Sequence, residues 1–411
     1  MGTNWKKNTV LFLTGQALSL FGTMVVQYAI IWHVTLRSQS GTVMTAFTII
    51  GFLPMFFISP FAGVWADRFN KKYIINISDG AIAFFSLIVA IFLMNGIDSY
   101  AVLLACAFVR AIGQGVQSPA VSSFIPEIVP VEHLTRINGF QSSINSMITF
   151  ASPMLGGALM TFAPLETLFF LDVVTATIGI SIVFFFVKVP AKENTEIENV
   201  GEKKIEYFHD LKEGIKYIRC NAFILRMIMI YAGFLFLFAP AGLLTPLQVT
   251  RNFGDDVWRL SAIEIAFSAG MMAGGLIIGI WGGFKNRIYS MALAIALCGF
   301  LSVALGLVPV FWLYLVIMAA VGINMPLFNT PAIVLLQTKV EPSFMGRVIS
   351  VFTMVSSSIM PLAMLVFGPL ADIISIDILL VVTGLLASLL CIPMMLSRTL
   401  REAGASDKVI S

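Results

Sequence analysis

Long apolar runs dominate the chain, and they alternate with short segments that carry most of its charge. The longest runs reach the length of about 20 residues that a helix needs to cross a bilayer. Their continuity excludes a membrane barrel, because barrel strands alternate apolar and polar residues. The pattern predicts twelve membrane-spanning helices in two groups of six. They cover roughly 10–35, 42–65, 74–94, 100–122, 138–162, 166–187, 223–247, 260–282, 288–307, 310–337, 344–368 and 376–398.

A polar segment separates the two groups of six. The sequence therefore predicts an all-α membrane protein with one six-helix bundle at 1–187 and a second at 223–411, the latter ending in a short cytoplasmic tail. The linker at 188–222 contains apolar residues on one helical face, which predicts a short amphipathic helix at the membrane surface.

An internal repeat indicates that the two bundles are equivalent. "GVWADRFNKKY" at 63–73 and "GIWGGFKNRIY" at 279–289 share a glycine, a tryptophan, an asparagine and a tyrosine at corresponding positions. Each follows the second helix of its half, and "SPA" and "TPA" lie near the end of each fourth helix. Two matches in the same order predict a duplicated six-helix unit, with the copies related about an axis along the membrane normal.

Charge is scarce and unevenly placed. Only 11% of residues are charged, against about 25% in a typical soluble domain. Most Lys and Arg residues lie in the termini, the linker and one set of loops, whereas the opposite loops contain only Arg37, Arg251 and Arg259. The positive-inside rule then predicts a multi-pass cell-membrane protein with both termini in the cytoplasm. The four cysteines are scattered, so we expect no metal site.

Polar side chains inside the apolar runs are the candidates for function. Arg110 lies near the middle of the fourth predicted helix, where a charge costs at least about 2.5–3.5 kcal/mol. It must therefore face a cavity or a partner, or donate to backbone carbonyls as a structural arginine. Similar polar faces on neighbouring helices predict a wet passage between the halves, with interhelical hydrogen bonding as the alternative. The candidates for substrate binding and coupling are Gln27, Arg110, Gln114, Gln117, Gln141, Asn145, Asp172 and Glu264.

Two of these candidates, Asp172 and Glu264, could exchange a proton, because burial and a nearby arginine shift carboxyl titration in opposite directions. The alternative is that both are solvated residues at the ends of their helices.

Five segments of the sequence resemble a known family. The first copy of the repeat resembles the G-x-L-A-D-R-x-G-R-K loop of the major facilitator superfamily, with matches at Gly63, Ala66, Asp67, Arg68 and Lys72. "SPMLGG" is similar to the G-P-x-x-G-G sequence in the fifth helix of drug:proton antiporters, with matches at Pro153, Gly156 and Gly157. Three further segments resemble the macrolide-efflux branch of this family: "VPVEHLTRINGFQSS", "DLKEGIKYI" and "MGRVISVF".

The resemblance implies that the loop after the second helix acts as a latch that stabilises one conformation. The implied latch residues are Gly63, Asp67, Arg68, Lys72, Asp79 and Arg347. Asp67 is expected to face the start of the eleventh helix, and the cations are expected to pair with Glu127, Glu132 or Asp79. The alternative is that the cations of this loop only set the topology. Asp67 is replaced by Gly283 in the second copy, so it is not a generic loop acid.

The resemblance implies a monomeric secondary transporter that exports bulky amphiphilic drug-like or macrolide-like compounds in exchange for protons. Export of a siderophore or lipid-like metabolite, or uniport without protons, are the alternatives within transport. A receptor or a membrane enzyme is disfavoured, since the sequence has no large soluble module and no nucleophile–base pattern. We find no phosphate-binding glycine loop and no basic nucleic-acid patch, so we expect no cofactor and no nucleic-acid partner.

Overall fold

A computed structural model describes residues 5–187, 207–341 and 344–405, and nearly all of these residues are helical. Most helices begin and end within a few residues of the predicted apolar runs. The α-helices are α1 (Trp5–Ser38), α2 (Gly41–Arg68), α3 (Lys71–Met94), α4 (Tyr100–Ile128), α5 (Leu134–Phe162), α6 (Leu165–Ser181), α7 (Tyr207–Cys220), α8 (Ala222–Leu243), α9 (Thr245–Phe253), α10 (Val257–Trp281), α11 (Arg287–Leu307), α12 (Phe311–Lys339), α13 (Met345–Leu370), α14 (Ile376–Leu389), α15 (Cys391–Leu396) and α16 (Arg398–Ala405).

Eleven segments of the described chain are long and apolar enough to cross a membrane. Three of them combine elements: α6 continues into a π-helical turn to Phe186, α8 runs on into α9, and α14 runs on into α15. The predicted fifth helix, α5, is not among the eleven, because its polar stripe lowers its mean hydropathy. It is nevertheless 29 residues long, more than the roughly 20 residues that a span requires.

The described residues group into two compact units. Unit 1 contains the described residues of Met1–Gln39, Ala46–Thr195 and Asp255–Glu264, and unit 2 contains those of Ser40–Thr45, Glu196–Gly254 and Ile265–Ser411. In unit 1, α1 packs against α5 and α6, and α3 packs against α4 and α6. In unit 2, α8 packs against α13 and α14, and α11 packs against α12 and α14. The same pairs recur in each unit, as expected of a duplicated six-helix unit.

The predicted domain boundaries at 187 and 223 remain a prediction. Within the predicted linker, 188–206 lies outside the described residues, and α7 occupies most of the remainder.

The asparagine shared by the two copies of the repeat begins a helix in both. The Asn70 side chain accepts a hydrogen bond from the Lys72 backbone N–H, and the Asn286 side chain accepts one from Ile288. Such a cap satisfies a backbone donor that the first helical turn leaves unpaired. The repeated asparagine is therefore explained by helix initiation.

The two copies differ in backbone just before this cap. α2 continues to Arg68, whereas α10 ends at Trp281 and is followed by two glycines with positive φ, 72° at Gly282 and 80° at Gly283. Side chains other than glycine rarely adopt such φ values. Gly283, which aligns with Asp67 in the sequence repeat, is therefore explained by the backbone conformation at its position.

Candidate functional site

A buried ion pair joins α4 and α6 inside unit 1. The Arg110 Nη1 lies 2.6 Å from the Asp172 Oδ2, and the two side chains are 1% and 0% exposed. The Ser86 hydroxyl donates to the same Asp172 oxygen at 2.7 Å and accepts from Arg110 Nη1 at 2.8 Å. Arg110 Nη2 donates to the Thr23 carbonyl at 2.7 Å. Side chains and backbone from α1, α3, α4 and α6 therefore converge on one charge-balanced cluster.

Two glycines allow the helices to approach closely enough for this cluster. A Cβ added at Gly22 would lie 2.9 Å from the Asp172 Cα, so α1 passes directly over α6. A Cβ added at Gly113 would lie 2.6 Å from the Ile82 Cγ1, so the Ile82 side chain of α3 packs directly on the α4 backbone. The small residues in the apolar runs thus fix the position of the charged ones.

The ion pair is a poor device for stability alone. Removing both charges from water costs several kcal/mol per ion, and apolar replacements of a buried pair are often neutral or stabilising. The Arg110 Nε has no hydrogen-bond partner within the described chain. A costly pair with a spare donor in the middle of a bundle is more typical of a functional site than of a structural one.

Asp79 forms a second buried cluster on the same face of α3 as Ser86. The Ser19 hydroxyl and the Gln117 Nε2 both donate to Asp79 Oδ1, at 2.7 and 2.6 Å. The same Gln117 nitrogen lies 3.3 Å from the Gln16 Oε1. Asp79 and Ser86 are seven residues apart, about two helical turns or 10 Å along the axis. The structure thus groups Asp79 with a predicted cavity residue, Gln117.

Within the described part of the chain, the hydrogen bonds of the two clusters involve none of the other predicted cavity residues. Gln27, Gln114, Gln141 and Glu264 are half-buried, and Asn145 is exposed. Sequence reasoning missed Ser86 and the Thr23 carbonyl. Ser86 could have been found, because it lies at i+7 from Asp79 and so on the same face of a helix.

Lys72, one of the predicted latch cations, contacts other groups than the acids expected for it. Lys72 Nζ donates to the Val187 carbonyl at 2.7 Å and lies 5.7 Å from the Phe184 ring centre. Glu127, a candidate partner for Lys72, is bound instead by the neighbouring Lys71 at 2.7 Å. Consecutive residues on a helix point about 100° apart, so only one of two adjacent lysines faces α4.

The remaining latch residues are only partly described. The Asp67 side chain lies outside the described part of the chain, and Arg68 is exposed at the end of α2. A Cβ added at Gly63 would meet nothing within 4 Å. Arg347 Nη1 lies 2.7 Å from Glu213 Oε2 on α7, so within unit 2 it ties the start of α13 to the linker helix.

The glycines of the fifth-helix sequence serve close packing within unit 1. Pro153, Gly156 and Gly157 are buried in α5. A Cβ added at Gly157 would overlap the Ser261 side chain of α10, whereas one at Gly156 would stay 3.7 Å from its nearest neighbour. Gly157 is thus the position that requires a glycine.

A carboxylate that sequence reasoning missed caps the start of α2. Asp372, in the turn after α13, accepts from the backbone N–H groups of Gly41 and Thr42 at 2.7 and 2.9 Å and from the Ser40 hydroxyl at 2.8 Å. The Arg251 Nη2 also lies 3.3 Å from the Asp372 Oδ1. All of these residues belong to unit 2.

Two opposing effects act on the pKa of Asp372. Burial alone would raise it, but hydrogen bonds from Thr42, Ser40 and Gly41 outweigh burial and lower the pKa to about 2. A helix N-terminus favours an anion for the same reason. The sequence did contain a signal, since G-x-x-A-D spans both 63–67 and 368–372.

Comparison with known proteins agrees with this architecture. The sequence profile of the Major Facilitator Superfamily matches residues 10–364. "Macrolide efflux protein A" of Streptococcus pyogenes is 28% identical over 391 residues, which cover 95% of each chain. "Multidrug efflux pump Tap" of Mycobacterium bovis is 24% identical over 382 residues, 88% of this chain and 86% of the other. The solved structure of a bacterial homologue of the iron transporter ferroportin matches in fold, with a TM-score of 0.68, 14% identity and coverage of 97% and 100%.

Proposed function

The chain belongs to the major facilitator superfamily, and from that premise we propose that it exports bulky amphiphilic compounds, drug-like or macrolide-like, in exchange for protons. Its likeness to a macrolide efflux protein over 95% of both chains supports the direction of transport and the substrate class. The observation that carries the coupling proposal is the pair of buried carboxylates, Asp172 with a cation and Asp79 with neutral donors, on helices of one bundle.

Asp79 is the group to which we assign the exchanged proton. Arg110 balances the charge of Asp172, whereas the described hydrogen-bond partners of Asp79 are the Ser19 hydroxyl and the side-chain amides of Gln117 and Gln16. A neutral surrounding lets a carboxyl group gain and lose a proton without leaving a cation unpaired. Asp172 and Glu264, the acids favoured by the sequence, are the alternatives to be tested beside it.

Gln117 links the proton to the polar face of α4. Its Nε2 lies between Asp79 Oδ1 at 2.6 Å and Gln16 Oε1 at 3.3 Å. An ionised Asp79 holds this nitrogen, and a protonated Asp79 becomes a donor itself and releases it toward Gln16. The proton state of Asp79 thereby sets the orientation of a side chain that the sequence placed in the substrate passage.

In such transporters a site near the midplane becomes accessible from alternate sides of the membrane. We propose that the loop at 63–73 biases this equilibrium as a latch, and that both termini are cytoplasmic. A ligand shifts such an equilibrium only by its differential affinity for the two states. Proton binding at Asp79 supplies one such difference.

Transport tests the proposal directly. Cells with the protein are expected to accumulate less of a radiolabelled macrolide, or of fluorescent drugs, than cells without it. A protonophore that collapses the pH gradient is expected to abolish the difference. Equal accumulation across a broad drug panel would refute drug export, and export that survives the protonophore would refute antiport and leave uniport.

The Asp79→Asn variant tests the assignment of the proton. It keeps the hydrogen-bonding shape but cannot exchange a proton, so we expect export to lose its dependence on the pH gradient. Glu402→Gln, at an exposed acid on α16, serves as the matched control. Gradient-driven export in Asp79→Asn at the level of the control would move the proton to Asp172 or Glu264.

A further inference from the structure

A groove of about 810 Å³ lies between α1 and α5 in unit 1, and none of the residues predicted to bind substrate lines it. Its size is within the range of about 300–1,000 Å³ that is typical of ligand pockets. Met147 and Phe140 on its wall are 73% and 50% exposed, so the groove is open at the surface of unit 1. Most of its lining is apolar, including Leu13, Leu18, Phe21, Ile144, Met147 and Ile148.

One end of the groove is basic. Lys6 at the start of α1 and His133 and Arg136 at the start of α5 line it, and all three are exposed. The Trp5 ring stacks on His133 at 4.8 Å between ring centres, and the Lys6 Nζ lies 5.8 Å from the Trp5 ring. Tryptophan and basic residues together are typical of the level of lipid headgroups. The groove thus runs from headgroup level into the apolar zone.

We propose that this groove binds one anionic phospholipid from the surrounding leaflet. An acyl chain lies along the apolar wall between α1 and α5, and the phosphate lies between Lys6 and Arg136. A basic cluster at the membrane surface attracts anionic lipid by about 1 kcal/mol per cation. A zwitterionic lipid would pack against the apolar wall but would not neutralise the basic end of the groove. A free phosphate would pair with the basic end but would leave the apolar wall uncovered.

Charge at the rim argues for this occupant over a neutral amphiphile. The acid nearest in sequence, Glu132, is exposed and does not line the groove. Arg136 lies 5.5 Å from the Phe140 ring, and that aromatic contact leaves its N–H groups available for a phosphate. The inference requires only that the chain spans a membrane, so it holds or fails independently of the proposed substrate and coupling.

Lipid retention tests the proposal. The full-length protein is purified, delipidated, mixed with equal amounts of phosphatidylglycerol and phosphatidylcholine with identical acyl chains, and examined by native mass spectrometry. We expect one phosphatidylglycerol to be retained preferentially. Removing cations with Lys6→Gln and Arg136→Gln is expected to weaken retention roughly fivefold per cation. Lys7→Gln is the matched control, because Lys7 is exposed on the next position and does not line the groove.

Filling the groove gives an independent readout. Ala17→Phe and Ala151→Phe, each at a lining position, are expected to abolish retention of both lipids. Ala101→Phe, at an exposed position on α4, is expected to have no effect, and thermal unfolding checks that each variant is folded. Equal retention of the two lipids, retention that survives both groove-filling variants, or displacement by glycerol phosphate alone would each overturn the proposal.

Discussion

Two ion pairs of equal length contribute differently to the stability of this protein, because one is buried and the other is exposed. Arg110–Asp172 and Arg398–Glu402 both have an N–O distance of 2.6 Å, but their side chains are 1% and 0% exposed in the first pair and 86% and 64% exposed in the second. Water screens the exposed pair, and the long side chains lose entropy by meeting. The buried pair has no such screening, so each partner depends on the other.

Asp172→Asn is expected to lower the free energy of unfolding by about 3–5 kcal/mol, because it leaves the Arg110 charge buried without its counterion. Thermal unfolding of the detergent-purified protein measures the effect. Glu402→Gln removes the partner of the exposed Arg398 and is expected to leave the midpoint unchanged. Similar midpoints for the two variants would contradict the importance of the buried pair.

Asp372 predicts a specific acid dependence of stability. Its pKa is lowered from 3.8 to about 2 in the folded chain. The stabilisation is therefore complete above pH 4 and is lost as the pH falls through about 2, where the folded form takes up its proton. Asp372→Asn should flatten this part of the stability curve, as measured by unfolding midpoints between pH 5 and pH 2. The exposed Asp255→Asn is the control, and an unchanged acid profile in Asp372→Asn would contradict the prediction.

At the scale of single elements, the helices could be predicted from sequence because hydrophobic length is a local property of the chain. The third apolar run was expected at roughly 74–94, and α3 spans Lys71–Met94. The partners across helices could not be predicted in the same way. Asp172 lies 62 residues from Arg110, and helical spacing fixes the face of one helix without naming the helix it meets.

The same limit explains two further differences. Lys71 takes Glu127 although Lys72 was expected to, since one residue of rotation decides which lysine faces α4. The cap of α2 by Asp372 joins residues more than 300 positions apart in the chain. Polar residues inside the apolar runs indicated a candidate site, but only the packing of the helices shows which side chains pair with each other.

α5 provides a prediction at the same scale. Gly157→Ala places a Cβ against the Ser261 side chain and is expected to destabilise the protein by about 1–3 kcal/mol. Gly156→Ala is the matched control, since its Cβ finds ordinary contact distances. Thermal unfolding should show the difference, and Ser261→Gly in the Gly157→Ala background should restore part of it. Equal stability of the two alanine variants would contradict the close approach of α5 and α10.

At the scale of the whole molecule, the internal packing of each unit supports the duplication that the repeated loop indicated. Corresponding helices make the same pairs in the two units, and Asn70 and Asn286 cap equivalent helices. Charge asymmetry adds the orientation, which remains a prediction. The orientation is a property of the whole chain in a membrane, so it is tested with the intact protein in cells and vesicles.

Cys220 offers a test of orientation. It is exposed at the end of α7, while Cys106 and Cys298 are buried. If the linker is cytoplasmic, a membrane-impermeant maleimide should label Cys220 in inside-out vesicles and not in intact cells. Asn95 lies in an exposed turn after the C-terminal end of α3, on the predicted outer side of the membrane. Asn95→Cys in a Cys220→Ser background should therefore show the opposite labelling pattern. Labelling of Cys220 in intact cells would contradict the predicted orientation and place the linker outside the cell.

The paired glycines after α10 make the two copies of the repeat unequal in the side chains that they accept at the position of Asp67. A carboxylate introduced at Gly283 would have to adopt a φ of 80°, which costs an ordinary side chain about 1 kcal/mol or more. The first copy has no such barrier, because its helix continues through the matching position. The backbone of the first loop therefore accepts a carboxylate at this position without conformational cost, whereas the backbone of the second disfavours one, so the two copies differ in the side chains they can present at the membrane surface.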